Sequence, residues 1–145
     1  MIGIKTFYSV AANVVFTSNV ALATVGLRSA VAAGQSQHFR AYIPFSVGAT
    51  GGIRAQVVVP AAGTIFINSI KLINTVAPTI TTAEQTASAA FTNAAANAGN
   101  HWLEIEGTVV NGVNAGFIDA QIAQNTSDAL SLTVLRGGIM EVTTF

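Results

Sequence analysis

Hydrophobic and polar residues alternate with a period of two through most of this chain. From His38 to Val47, Phe39, Ala41, Ile43, Phe45 and Val47 fall on one side, and His38, Arg40, Tyr42 and Ser46 on the other. That is the pattern of a half-buried strand. Pro44 inside the run has no amide to give a ladder, which predicts an edge strand or a bend. After a turn at Gly48–Gly52, Ile53, Ala55, Val57 and Val59 mark the next strand. Residues 64–74 (TIFINSIKLIN) are apolar on both faces, as in a strand covered from both sides. Further strands are predicted over 101–110, 113–124, 129–136 and 139–145, with shorter pieces at 12–17 and 20–27. So many short strands with Gly- and Asn-marked turns predict an all-β chain, an antiparallel sandwich or barrel.

Two turns carry register information. Asn111-Gly112 between alternating runs predicts a two-residue hairpin, because both residues tolerate positive φ. Pairing Val110 with Val113 would set Ile105 opposite Ile118, Leu103 opposite Ala120 and Glu104 opposite Asp119, with Glu106 beside them. A tight hairpin at Gly137-Gly138 would instead oppose Val134 to Glu141, mixing the two faces. The last strand is therefore expected to cross to a second sheet. Residues 82–98 (TAEQTASAAFTNAAANA) remain open between a helix, an irregular loop and a weak strand. Thr82 and Gln85 have capping-box spacing, but the Thr, Ser and Asn content opposes a helix.

Composition narrows the function. Only 8% of the 145 residues are charged and 51% are hydrophobic, against about 25% charged in ordinary soluble domains. The central positions of protein interfaces are likewise poor in charge, so the chain reads as a subunit of a permanent assembly. The net charge is zero and the six basic residues stand singly. Nucleic-acid binding, which needs a clustered basic footprint, is not expected. No apolar run reaches the ~18 residues of a membrane span. The stretch from Lys5 to Ala23 imitates a secretory signal, but Ser9, Asn13 and Ser18 interrupt it and no signal is expected. There is no cysteine.

The segments AGQSQHFRAYIPFSVGATGGIRAQVVVPA, WLEIEGTVVNGVNAGFIDAQIAQ and LSLTVLRGGIMEVTTF, spread over Ala33 to Phe145, resemble the small jelly-roll-type structural proteins of tailed bacteriophages. Those proteins serve as capsid decoration proteins and as fibre or spike tips. The resemblance implies a jelly-roll-like antiparallel β-sandwich over 33–145, preceded by an N-terminal arm and first short strands over 1–32. It implies a non-enzymatic virion protein on the capsid surface, a homotrimer bound to the major capsid protein or another virion protein. Decoration, or cementing, of the shell is the leading expectation. A trimeric fibre or spike tip that recognises a host receptor is the alternative.

The candidate chemistry points the same way. Glu104 and Glu106 sit two apart on one strand, roughly 7 Å from each other, within the range of inverting glycosidases, and Trp102 shares their face. No facing cleft is evident, and a polar interface is the simpler reading. These acids could offer oxygens to calcium, which takes about 6–8, but no Asp-rich loop supports such a site, and His38 and His101 are too few for zinc. Gly48–Gly52 lacks the Lys-Ser/Thr ending of a phosphate loop. No catalytic, cofactor or metal residues are assigned. The expected contact residues are Phe7, Tyr8, Phe16, Arg40, Tyr42, Arg54, Trp102, Glu104, Glu106 and Asp119. Residues 1–19 are expected to leave the sandwich and pack on another chain through Phe7 and Phe16. The Glu104, Glu106 and Asp119 patch is expected either to be met by cations across an interface, with Arg40 and Arg54 as candidates, or to stay solvated.

Overall fold

A computed structural model of the chain describes residues 3–48, 51–61, 65–74, 79–85, 90–93 and 98–145. Among them the regular structure is entirely β. The strands are β1 (Ile4–Ser9), β2 (Val14–Phe16), β3 (Ala23–Val31), β4 (Ser36–Val47), β5 (Ile53–Val58), β6 (Ile65–Asn74), β7 (Thr79–Gln85), β8 (Phe91–Asn93), β9 (Gly99–Val110), β10 (Gly116–Ala123), β11 (Leu132–Val134) and β12 (Ile139–Thr144). The stretch left open in the sequence enters β7 and β8, while residues 86–89 and 94–97 lie outside the described residues.

Every described pairing is antiparallel, in two sheets. One runs β1-β12-β4-β9-β6-β7, with β11 between β2 and β4; the other runs β3-β10-β5-β8. β1 pairs with β12 and β2 with β11, so β1 and β2 act as one long strand with a break, and β11 and β12 as another. The break is closed by main-chain bonds: Val10 N donates to Gly138 O at 2.8 Å, and Gly137 N to Val10 O at 3.1 Å. Gly137 takes φ +96° there, which a side chain would resist. With the broken strands counted as one each, the first sheet opens β1/β2–β11/β12–β4–β9. Consecutive core strands then alternate between the sheets, and β6 with β7 is an inserted pair extending the first. This is the strand order of a jelly roll.

The core lies between the sheets. Phe39, Ala41, Ile43 and Phe45 of β4 and Leu103, Ile105 and Val109 of β9 face Leu27 and Val31 of β3, Ile53, Ala55 and Val57 of β5, and Ile118 and Ile122 of β10. Period-two alternation alone places these side chains inward.

Several expectations are corrected here. Asn111-Gly112 is not a hairpin turn: β9 pairs with β4 and β6, while β10 pairs with β3 and β5 in the other sheet. Neither residue has positive φ. The chain instead turns a corner between sheets, held by Asn111 Nδ2, which donates to Ala32 O (2.8 Å) and Asn114 O (2.7 Å). β12 does not cross over at Gly137-Gly138. It continues along β4 beyond β11, which resolves the register conflict by interrupting the strand. Pro44 is in a central strand, not an edge. Its carbonyl accepts from Leu135 N at 2.9 Å, so its missing N–H faces the break between β11 and β12.

Residues 1–32 are not set apart from 33–145, since β1 and β2 enter one sheet and β3 the other. The N-terminal segment likewise does not leave the sandwich. Phe16 is in its own chain's core at 4% exposure, whereas Phe7 is 64% exposed. Tyr8 turns inward, half-buried, and its hydroxyl donates to Ser29 Oγ at 3.1 Å.

Candidate interaction face

The outward side chains of β1, β12, β4, β9 and β6 share one face. Register places Phe7, Glu141, Arg40, Glu106 and Ser69 in one row across it. Ser9, Ile139, Tyr42, Glu104 and Lys71 form the next row, and Pro44, Trp102, Ile73 and Ile80 follow. The last row is an apolar strip over four strands, with Trp102 at 48% and Ile80 at 66% exposure.

The charges between these rows are matched within the chain. Arg40 Nη2 donates to Glu104 Oε1 at 2.6 Å, and Lys71 Nζ lies 3.6 Å from Glu104 Oε2. Glu106 lies 3.9 Å from Arg40 Nε and 3.4 Å from His38 Nε2. Lys5 donates to Glu141 at 2.6 Å. The Arg40 hydrogen bond, with Lys71 nearby, holds the Glu104 carboxyl below the usual carboxylate range. Arg40 is shifted up by the same bond, and its guanidinium carbon lies 5.0 Å from the centre of the Tyr42 ring.

Glu104 does not fit the acid role of a glycosidase. A glycosidase acid must hold its proton near neutral pH, which calls for a raised pKa; Glu104 has a lowered one. A hollow of about 250 Å³ lies at the β1 side of the face, lined by Phe7, His38, Arg40, Tyr42, Glu106, Ile139 and Glu141. Among the described residues no three His, Asp or Glu side chains gather as metal ligands, and no helix is long and apolar enough to cross a membrane.

The ten expected contact residues thus separate. Phe7, Arg40, Tyr42, Trp102, Glu104 and Glu106 come together on this face. Phe16 and Tyr8 turn inward. Asp119 does not join Glu104 and Glu106, because its strand belongs to the other sheet. It is 6% exposed and accepts from Thr24 Oγ1 at 2.6 Å and Gln121 Nε2 at 3.1 Å. Arg54 is also on that sheet, opposite Ala123 and Thr92. The acids of the face meet Arg40, Lys71 and His38 of their own chain. Lys71, Ile73, Ile80 and Ile139 escaped the sequence reading. Alternation in 69–73 does put Ser69, Lys71 and Ile73 opposite Ile70 and Leu72, but reading 64–74 as apolar on both faces hid it.

No family model matches the chain, and no curated protein matches it. It is similar to VP2 of infectious bursal disease virus in a subviral particle and to chains in other solved structures of that virus. In the VP2 subviral particle the identity is 10% and the TM-score 0.28, covering 98% of this chain and 37% of that one. In the Gx strain structure the figures are 12%, 0.25, 98% and 40%; in the T13 particle they are 11%, 0.29, 99% and 39%. The chain therefore spans 37–40% of the length of these neighbours. A likeness this distant assigns nothing to the chain, and the jelly roll rests on its own strand order.

Proposed function

We propose that this protein is a non-enzymatic structural subunit of a virion, a decoration protein that binds the capsid surface as a homotrimer and cements neighbouring shell subunits. The observation that carries the reading is the strip Pro44–Trp102–Ile73–Ile80, an apolar row with Trp102 and Ile80 exposed and Pro44 and Ile73 half-buried, on a sheet whose charges already satisfy one another. A partner that covers this face leaves no charge stranded and gains apolar burial at about 25 cal/mol per Å². A jelly roll is an architecture of capsid and lectin domains alike, and the resemblance to tailed-phage decoration proteins favours the first. The major capsid protein is the proposed partner, with no nucleic acid and no membrane in the contact.

The test is to add the purified chain to particles that lack it and image them. Ordered density on the outer shell is expected, and Trp102→Ala should weaken the association while leaving the melting temperature within a degree or two. Undiminished binding by Trp102→Ala and by Ile80→Ser would remove the strip from the contact. The hollow beside Phe7 and Tyr42 supports a second reading, a tip that recognises a host receptor. Density at the end of a tail fibre, with none on the shell, would favour it.

A further inference from the structure

We infer that the free edge of β1 is a two-fold contact, where the strand pairs antiparallel with β1 of a second copy. Among the described residues β1 has one neighbour, β12. Antiparallel pairs alternate between hydrogen-bonded and non-bonded residues. Val10 bonds inward to Gly137 and Gly138, so Tyr8, Thr6 and Ile4 also bond inward, and Lys5, Phe7 and Ser9 direct N–H and C=O to the free edge.

Natural edges are usually blunted by charge, proline or a bulge. Residues 4–9 contain no proline, and the break at Val10 lies beyond them. The one charge, Lys5, is matched by Glu141 at 2.6 Å. Beside this edge Ile4, Phe7, Ile139 and Phe145 are all exposed.

The sequence of the edge is self-complementary about Phe7. A two-fold axis there pairs Phe7 with Phe7 of the second copy, and Lys5 of each copy with Ser9 of the other. The hydrogen-bonded positions are then filled only by residues with outward main-chain groups, giving about six hydrogen bonds from three pairs. Thr6 of each copy lies opposite Tyr8 of the other, and no like charges are opposed. The two Phe7 rings become direct cross-strand neighbours, a favourable aromatic pair. Such a contact is isologous and closes on itself. It is distinct from any three-fold contact, so it can tie a copy in one trimer to a copy in the next. It stands or falls independently of shell binding.

The chain has no cysteine, so an introduced one reports distance cleanly. Cα atoms of a hydrogen-bonded pair lie about 5.5 Å apart, within the roughly 4.4–6.8 Å that a disulfide spans. Phe7→Cys should form a covalent dimer under mild oxidation of the folded full chain. Lys5→Cys alone should not, whereas Lys5→Cys mixed with Ser9→Cys should cross-link. Val113→Cys, 85% exposed at the 110–116 corner, sets the rate of random collision. The inference is overturned if Phe7→Cys cross-links no faster than Val113→Cys. It is equally overturned if the Lys5, Phe7 and Ser9 amides resist hydrogen exchange only when particles are present, which would give the edge to a shell strand.

Discussion

Changing Asn111 to Asp separates the corner from a hairpin turn more sharply than any truncation. In a hairpin the two residues are nearly equivalent, since Asp-Gly favours the same turn as Asn-Gly. In the corner Asn111 acts as a donor. Its side-chain amide is 2.8 Å from Ala32 O and 2.7 Å from Asn114 O, and the residue is 5% exposed. Asn111→Ala loses both bonds. Ala32 and Asn114 are exposed, so water can recover their carbonyls, and two net bonds at about 1 kcal/mol each give a loss of about 2 kcal/mol. Asn111→Asp loses the same donors and sets a carboxylate against two carbonyl oxygens, so it should cost more, about 3–4 kcal/mol at pH 7. That repulsion raises the new group's folded-state pKa above its unfolded value. Its penalty should therefore shrink as pH falls toward 4, where the acid is protonated and donates one bond. Urea unfolding at pH 7 and pH 4, read as the midpoint at constant slope, measures all three chains. If Asn111→Asp unfolds within about 0.5 kcal/mol of the parent, or if acid widens the gap, the corner is not held by this donor.

Phe16→Ala should destabilise the chain by about 3–5 kcal/mol as a core truncation, whereas Phe7→Ala in dilute solution should stay within about 0.5 kcal/mol; thermal melting distinguishes them. The lowered pKa of Glu104 means that its stabilising pairing is complete above the ordinary 4.5 and is lost as pH falls through the folded-state value. Glu104→Gln should accordingly flatten the acid limb of a plot of melting temperature against pH, and an unchanged limb would argue against the Arg40 pairing as its source. Gln124, fully buried, donates to Asp128 O at 3.1 Å and Leu130 O at 2.7 Å and accepts from Asn19 N at 3.0 Å. Gln124→Leu should cost about 2–3 kcal/mol and expose the Asn19 amide to fast hydrogen exchange.

Alternation by itself determined which side chains of β4, β5 and β9 are core, because the pleat sends Phe39, Ile43, Leu103 and Ile105 to one side whatever strand lies next to them. It also put Arg40, Tyr42, Trp102, Glu104 and Glu106 on outward positions, and it exposed the register conflict at Gly137-Gly138. Strand partners are a different matter. Local sequence at Asn111-Gly112 satisfies a hairpin, yet the corner wins because it lets β9 and β10 cover opposite sides of one core, with Asn111 tying the turn to Ala32. Pairing β9 with β4 brought Glu104 and Glu106 to Arg40, and pairing it with β6 brought Lys71 to Glu104. The same choice sent Asp119 and Arg54 to the other sheet. Phe7 and Phe16 look alike in sequence, but the break at Val10 lies between them, and one ends outside while the other ends in the core. Side-chain direction is a property of each strand alone, whereas neighbours are settled by burying both sheets at once, so only the tertiary structure could decide which residues meet.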